Sequence, residues 1–471
     1  MGPNFHTPAA PQAALAPVPA QSTDAAQRFA AGADIEGAGW TLFRSPGLNT
    51  LIAAGLKNNP SLTAAQASLT EARETMRADE GVLIPAVSGS LGAQRNQDSN
   101  AVAVTQGAHP AATLAPYSLY NASLSVSYAL DVWGGARRAV ESQAAQVDYQ
   151  RDELEAAYLS LTGNIVTAAV QEAALAAQVD ATNQVIAAEQ QDYNILATQV
   201  RLGGAAPTAL LQQQAQLAQA QATLPPLEEA LAQERNALAA LTGALPGSFQ
   251  APDFTLDDFT LPANVPVSLP SSIVAQRPDI RAAADTLHSA TAEVGVADAQ
   301  MLPQITLSAD IGHESLTTDT LFTPQTLLWG VVAGVTQPIF EGGELTAKRK
   351  AAIAALQGAG AQYQSTVIAA FQNVADALTA LQFDAQTLTA AQSAADAAQA
   401  SLKATQNQYT LGAQPFTAVL NAQTTYQDAV LSLAKARAAR LADTAALYVA
   451  LGGGWWHRQD DATPPCCGVI P

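Results

Sequence analysis

Charged side chains make up only 13% of the 471 residues, and they are unevenly shared: 40 acidic against 21 basic groups, a formal charge of -19. With so little positive charge the chain cannot neutralise a phosphate backbone and release its counterions, so nucleic acid is excluded as a partner. Cysteine is almost absent. Cys466 and Cys467 are adjacent near the C-terminal end, which excludes a disulfide framework and a spaced Cys/His zinc site. His6, His109, His288, His313 and His457 are scattered, so no metal cluster is visible. No nucleophile, base and orienting group share a motif, and neither an enzyme nor a cofactor is expected. Long hydrophobic runs are missing as well. The best window, 320–340, is uncharged but carries Pro324, Gly330, Gly334 and Pro338, which oppose a spanning helix. Residues 1–30 hold no basic stretch followed by an apolar one, so no signal peptide is expected within this sequence. Entry into a membrane would have to be by strands.

What is present is small, apolar and repetitive. The AVILMFWYC group reaches 48% with only 6% aromatics, so small side chains, chiefly Ala, dominate it. The chain repeats itself with a period of about 210 residues, far longer than a solenoid unit, which points to a duplicated half-molecule. Asn59-Pro60-Ser61 answers to Arg277-Pro278-Asp279, Pro85 to Pro303, and Gly134-Gly135 to Gly342-Gly343. Leu202-Gly203 answers to Leu411-Gly412, Thr208 to Thr417, Gln214 to Gln423, and Leu241-Thr242-Gly243 to Leu451-Gly452-Gly453.

Each half reads as helix, two strands, long helix, tight turn, shorter helix. The long helices are expected from Gly135 to Gly203 and from Gly343 to Gly412, each on the order of 100 Å at 1.5 Å per residue. Apolar residues recur every seven positions. One line is Val140, Val147, Leu154, Leu161, Ala168 and Leu175; a second is Tyr158, Ile165, Val179, Ile186, Tyr193 and Val200. Ile353, Val367, Val374, Leu381, Leu388, Ala395, Leu402 and Tyr409 continue the second line in the other half. A sustained heptad specifies supercoiled packing. Arg151 and Glu172 interrupt the second line and read as snorkelling or partner-facing positions. Pro246, Pro252, Pro262, Pro266 and Pro270 mark 244–270 as an extended linker.

The strand candidates alternate. Ile305, Leu307, Ala309 and Ile311 interleave with Gln304, Thr306, Ser308 and Asp310, and Tyr120, Leu124, Val126, Tyr128 and Leu130 with Asn121, Ser123, Ser125 and Ser127. Val87 and Leu91 give a weaker pattern, and Leu327 to Thr336 is apolar on both faces. The pattern alone suits a soluble half-buried sheet or a membrane barrel with a wet lumen. Length and flanks favour the barrel. The strands run about 10 to 12 residues, a tilted membrane span, and Trp133 and Trp329, with Tyr117 and Phe340, stand where interfacial aromatics would. Four strands cannot close, and open edges are not tolerated in lipid. Closure by a homotrimer of twelve strands is the expectation.

Several segments are similar to one family. Leu269-Pro270-Ser271-Ser272 through Arg277-Pro278-Asp279-Ile280, Gly295-Val296-Ala297, Pro303, and Leu307-Ser308-Ala309 are one set. Tyr128-Ala129-Leu130-Asp131-Val132-Trp133-Gly134, Pro338-Ile339-Phe340-Glu341-Gly342-Gly343, Leu420-Asn421-Ala422-Gln423 and Leu451-Gly452-Gly453-Gly454-Trp455 are another. Together they resemble the TolC-like outer-membrane efflux family, closest to its NodT-type lipoproteins, over nearly the whole chain. The resemblance implies a mainly α fold with a membrane β portion: a long coiled-coil α-barrel plus four strands per chain, completing a twelve-stranded barrel in a trimer. It implies a bacterial outer-membrane exit duct reaching into the periplasm. The partners it implies are a periplasmic adaptor (membrane fusion) protein, an inner-membrane pump of the RND type, and outer-membrane lipid. The turns holding Leu202, Gly203, Gly204 and Leu411, Gly412, Ala413 become the tips that meet the adaptor. Many relatives gate the tip region with an acidic residue at the position of Asn421 and an arginine just before Tyr409. Here Gln408, Tyr409 and Asn421 imply an aperture held by neutral hydrogen bonds. Gly134, Gly135, Gly342 and Gly343 become strand–helix junctions. Met1-Gly2-Pro3-Asn4-Phe5 resembles the segment that follows the lipidated Cys of family lipoproteins, which implies an N-terminal lipid anchor on a Cys absent from this sequence. Either a leader has been removed or the start was assigned late.

The expected organisation is an extended N-terminal segment 1–45, a first repeat 46–243 and a linker 244–270. A second repeat 271–454 and a flexible tail 455–471 with incidental thiols follow. Strands are expected near 83–96, 118–131, 303–313 and 327–338, with tips near 201–207 and 410–416. A duct for drugs or other small molecules leads; a type I protein-secretion duct and a soluble coiled-coil scaffold are the alternatives.

Overall fold

The computed structural model describes residues 1–9, 27–33, 35, 39–97, 116–267 and 270–457. Cys466 and Cys467, His109 and the tail beyond 457 lie outside them. Helices run α1 (Pro46–Asn58), α2 (Pro60–Glu80), α3 (Gly135–Arg201), α4 (Pro207–Leu241), α5 (Pro270–Gln276), α6 (Pro278–Gln300), α7 (Glu344–Thr410) and α8 (Phe416–Ala450). Strands are β1 (Arg28–Ala31), β2 (Ala86–Asn96), β3 (Tyr117–Leu130), β4 (Asn264–Val267), β5 (Gln304–Ser315) and β6 (Leu327–Thr336). The chain divides into two compact units: one of residues 1–7, 69–149 and 283–363, the other of the remainder.

The first unit contains an antiparallel sheet in the order β2-β3-β5-β6. Pairing fixes which residues share a face. Val331, Ala309, Val126 and Val87 lie side by side, as do Trp329, Ile311, Leu124 and Gly89. With a side-chain period of two, Tyr120, Leu124, Val126, Tyr128 and Leu130 of β3 and Ile305, Leu307, Ala309 and Ile311 of β5 therefore fall on one face, while Leu119 and Ala129 stand among the polar residues opposite. Ser88, Ser90, Ser123, Ser125, Ser127, Thr306, Ser308 and Asp310 occupy the other. β6, apolar throughout, places Gly330 and Gly334 opposite Asp310 and Thr306 on that polar face. The first strand begins at Ala86 because residues 81–83 form a 3-10 turn.

The second unit holds the main hydrophobic core. Phe43, Leu48 and Ile52 pack with Ile165, Val166 and Ala169 of α3, Leu238 of α4, and Leu441 and Ala445 of α8. Each fully buried side chain of this size contributes about 1.5–3 kcal/mol. The heptad lines point inward: Leu161 and Ile165 lie in this core, and Val367, Val374 and Leu381 of α7 are buried as well. Gly163 admits α8 to α3, since a β-carbon there would come within 2.6 Å of Val449. Two elements differ from the sequence reading. The segment read as extended linker contributes β4, which pairs in parallel with β1; neither four-residue strand is long enough to show a period. Glu172 does not snorkel. It is fully buried, and its carboxylate accepts from Arg235 Nε at 2.9 Å.

The residue preceding each repeat's helix-starting proline performs one job with different chemistry. Asn59 Nδ2 donates to the Leu241 carbonyl at 2.9 Å, ending α4. The Arg277 guanidinium donates to the Ala450 carbonyl at 2.6 Å, ending α8, and pairs with both oxygens of Asp279. Carbonyls that a helix end leaves without partners are satisfied in both cases.

Candidate functional site

In the first unit, among the described residues, the apolar sheet face has no layer over it. Val87, Leu91, Leu124, Ile311, Val331 and Val335 are exposed, and Trp329 is 73% exposed. Among the described residues, the outer edges of β2 and β6 have no strand beside them. Trp329 stands near the start of β6, whereas Trp133 follows β3 at the opposite end of the sheet, its indole donating to the Pro303 carbonyl at 2.7 Å. Strand-to-helix conversion occurs at glycines in the left-handed region: Gly134 at φ +80, Gly342 at +62 and Gly343 at +90. Gly135 serves otherwise, because a β-carbon there would sit 2.9 Å from Ala299. Asp131, part of a quoted segment but given no role from sequence, caps α3: its carboxylate accepts from the Ala136 and Arg137 amides at 3.1 and 2.9 Å.

In the second unit the two hairpin turns have the same backbone. Gly204 N donates to Gln199 O at 2.8 Å and Gly203 N to Val200 O at 3.1 Å; Ala413 N donates to Gln408 O and Gly412 N to Tyr409 O, both at 2.9 Å. Each is a Schellman closure with glycine in the left-handed position, φ +76 at Gly203 and +72 at Gly412. Leu202 and Leu411 stand out from these turns, 78% and 83% exposed.

Tyr409 donates its hydroxyl proton to Gln199 Oε1 at 3.1 Å and packs on Phe416, ring centroids 5.3 Å apart. Gln199 is the repeat counterpart of Gln408, and that offset is the signal in the sequence that marks it. Gln408 and Asn421 have exposed side chains, and among the described residues no hydrogen bond joins them. The hydroxyl of Tyr409 is thus bonded to Gln199, and not to Gln408 or Asn421.

Behind the tips lies a buried polar group that the sequence did not reveal. Gln213 Nε2 of α4 donates to Glu189 of α3, at 2.6 Å to its carboxylate and 2.9 Å to its carbonyl. Gln423 Nε2 of α8 donates to Asp192 Oδ2 at 2.6 Å. Burial pushes the Glu189 carboxyl above its ordinary range, with the Gln213 bond opposing and the Asp192 charge adding. Burial likewise raises Asp192 against its bond from Gln423. The only available signal was acid placed in an otherwise Ala-rich helix. Among the described residues no helix is long and apolar enough to cross a membrane, and no group of three or more metal-ligating side chains gathers.

Comparison with known proteins matches these elements. The family model described as outer membrane efflux protein covers residues 51–244 and 269–453. The pyoverdine export outer membrane protein OpmQ of Pseudomonas putida is 28% identical over 416 residues, spanning 88% of each chain. The toluene efflux pump outer membrane protein TtgC of Pseudomonas putida is 29% identical over 465 residues, 98% of this chain and 93% of that one. The open-state MtrE outer membrane channel of Neisseria gonorrhoeae superimposes with a TM-score of 0.83 at 26% identity, over 98% of this chain and all of that one. A soluble scaffold is set aside by these matches: the chain belongs to the outer membrane efflux protein family.

Proposed function

We propose that three copies of this outer-membrane efflux protein close their sheets into one twelve-stranded barrel, continued by their helical hairpins as a periplasmic duct. The duct conducts small organic molecules passively outward. The observation that carries this reading is the sheet of the first unit, with two open edges and an uncovered apolar face. In lipid that face is solvated by hydrocarbon, and edge hydrogen bonds must be met by another sheet. β2 of one copy would pair with β6 of the next, and the Ser- and Thr-rich face would line a wet lumen. Leu202 and Leu411 at the tips suit docking to a periplasmic adaptor, which in turn meets an inner-membrane pump of the RND type that supplies the energy. The small organic cargo named for OpmQ and TtgC supports this class over a secreted protein. Mass measurement of the purified protein in detergent tests the assembly. Three chains are expected, and a lone, stably folded chain would overturn the proposal.

A further inference from the structure

A cavity of about 230 Å³ lies in the second unit among α3, α7 and α8. That is more than ten times the space that admits one water, enough for a small organic molecule. Val185, Leu402, Tyr426 and Val430 supply apolar wall, while Glu189 and Gln423 supply polar atoms. Helix direction separates the two ends. α3 and α7 run toward the tips and α8 runs away from them, so the polar Gln406 and Gln423, with Leu402, line the end nearer the tips, Val185 and Val430 line the far end, and Glu189 stands between.

The polar end has a surplus of acceptors. Gln423, 5% exposed, gives its amide N–H to Asp192, which leaves its Oε1 without a donor. Gln213, fully buried, gives its N–H groups to Glu189 and likewise leaves Oε1 without a donor. Of these four groups Glu189 and Gln423 line the cavity itself, where the amides of Gln184, Gln406 and Gln427 are further polar groups and no Lys or Arg stands. Buried polar groups are almost always satisfied, and what these groups lack is positive charge carrying N–H donors. We infer that this cavity is a binding site for a small primary ammonium compound with an apolar body, its N–H groups donating to Glu189 and Gln423 and its body lying against Val185 and Val430.

Titration calorimetry on the full-length protein purified in detergent, with benzylammonium as probe, benzyl alcohol as its neutral isostere and empty micelles as blank, tests this. Benzylammonium should bind saturably and more tightly than benzyl alcohol by about tenfold or more, the difference a charge-assisted hydrogen bond makes. Glu189→Gln should lower benzylammonium affinity by a similar factor and leave benzyl alcohol unaffected. Ala188→Trp, which fills the cavity from α3, should abolish both. Heat no greater than the micelle blank at millimolar probe, or equal affinity for the amine and the alcohol, would overturn the assignment without recourse to any variant. Unchanged affinity in Glu189→Gln would do the same.

Discussion

Removing the guanidinium of Arg235 should loosen the middle of α3, and should do so only where Glu172 is charged. Glu172 is fully buried, whereas Arg235 is partly exposed and also meets Asp253 at 2.9 Å. Burial raises the Glu172 carboxyl above its ordinary 4.5; the Arg235 hydrogen bond and charge and a bond from the Phe254 amide pull it back, and Asp253 pushes it up again. Leaving a buried charge unpaired costs about 3–5 kcal/mol. Because Arg235 lies partly in water, its truncation lets solvent approach, and about 2–4 kcal/mol is the expected effect of Arg235→Ala. The sign with pH follows from the raised carboxyl. Its native form is favoured while protonated, and that advantage is lost as pH rises through the folded value, which Arg235→Ala raises further. Amide hydrogen exchange in 165–178 of the purified protein is the assay. Protection should fall roughly thirty- to several-hundred-fold at about pH 8, and much less at about pH 5. Adding Glu172→Gln should restore most of it. A loss of equal size at the two pH values, or none at the higher, would refute the reasoning.

Gly203→Trp or Gly412→Trp places a bulky side chain on a left-handed backbone beside an exposed leucine; export from cells should be abolished while oligomers of unchanged mass are still recovered. Tyr409→Phe removes the bond to Gln199 and should raise the single-channel conductance of purified protein in a planar bilayer, with Gln199→Leu giving the same change. Asp384 is pushed up to about 7 by burial and by the hydrogen bond and charge of Asp443, Arg440 opposing. The stability it contributes is full below its ordinary 3.8 and is lost as pH rises through about 7. Asp384→Asn should therefore flatten the pH dependence of thermal unfolding across that window and, after screening at this half-buried position, gain about 1 kcal/mol at its upper end.

The features legible in the sequence were those with a period. A heptad states which side of a helix turns inward, so Val367, Val374 and Leu381 could be placed without knowing what covers them. Alternation likewise assigned the faces of β3 and β5, and failed at β6 because Leu328, Gly330, Val332 and Gly334 stand where polar side chains would have marked the second face. Partnerships across long stretches of sequence have no period. Glu172 occupies an inward heptad position, but its cation is on the return helix; Gln199, Glu189 and Gln213 are similar cases. Duplication does not help, because the two halves share backbone and not side-chain chemistry. The Schellman turns at Gly203 and Gly412 are the same, and Asn59 and Arg277 cap equivalent helix ends with different groups. At the position of Glu172 the second repeat has buried Leu381, at that of Arg235 it has buried Thr444, and at that of Glu189 it has buried Ala398. The buried acids at these positions are thus a property of the first hairpin alone. The two hairpins have one geometry and two interiors, with carboxyls raised by burial at Glu172, Glu189 and Asp192 in the first and at Asp384 beside Asp443 in the second, so each responds to pH through its own acids.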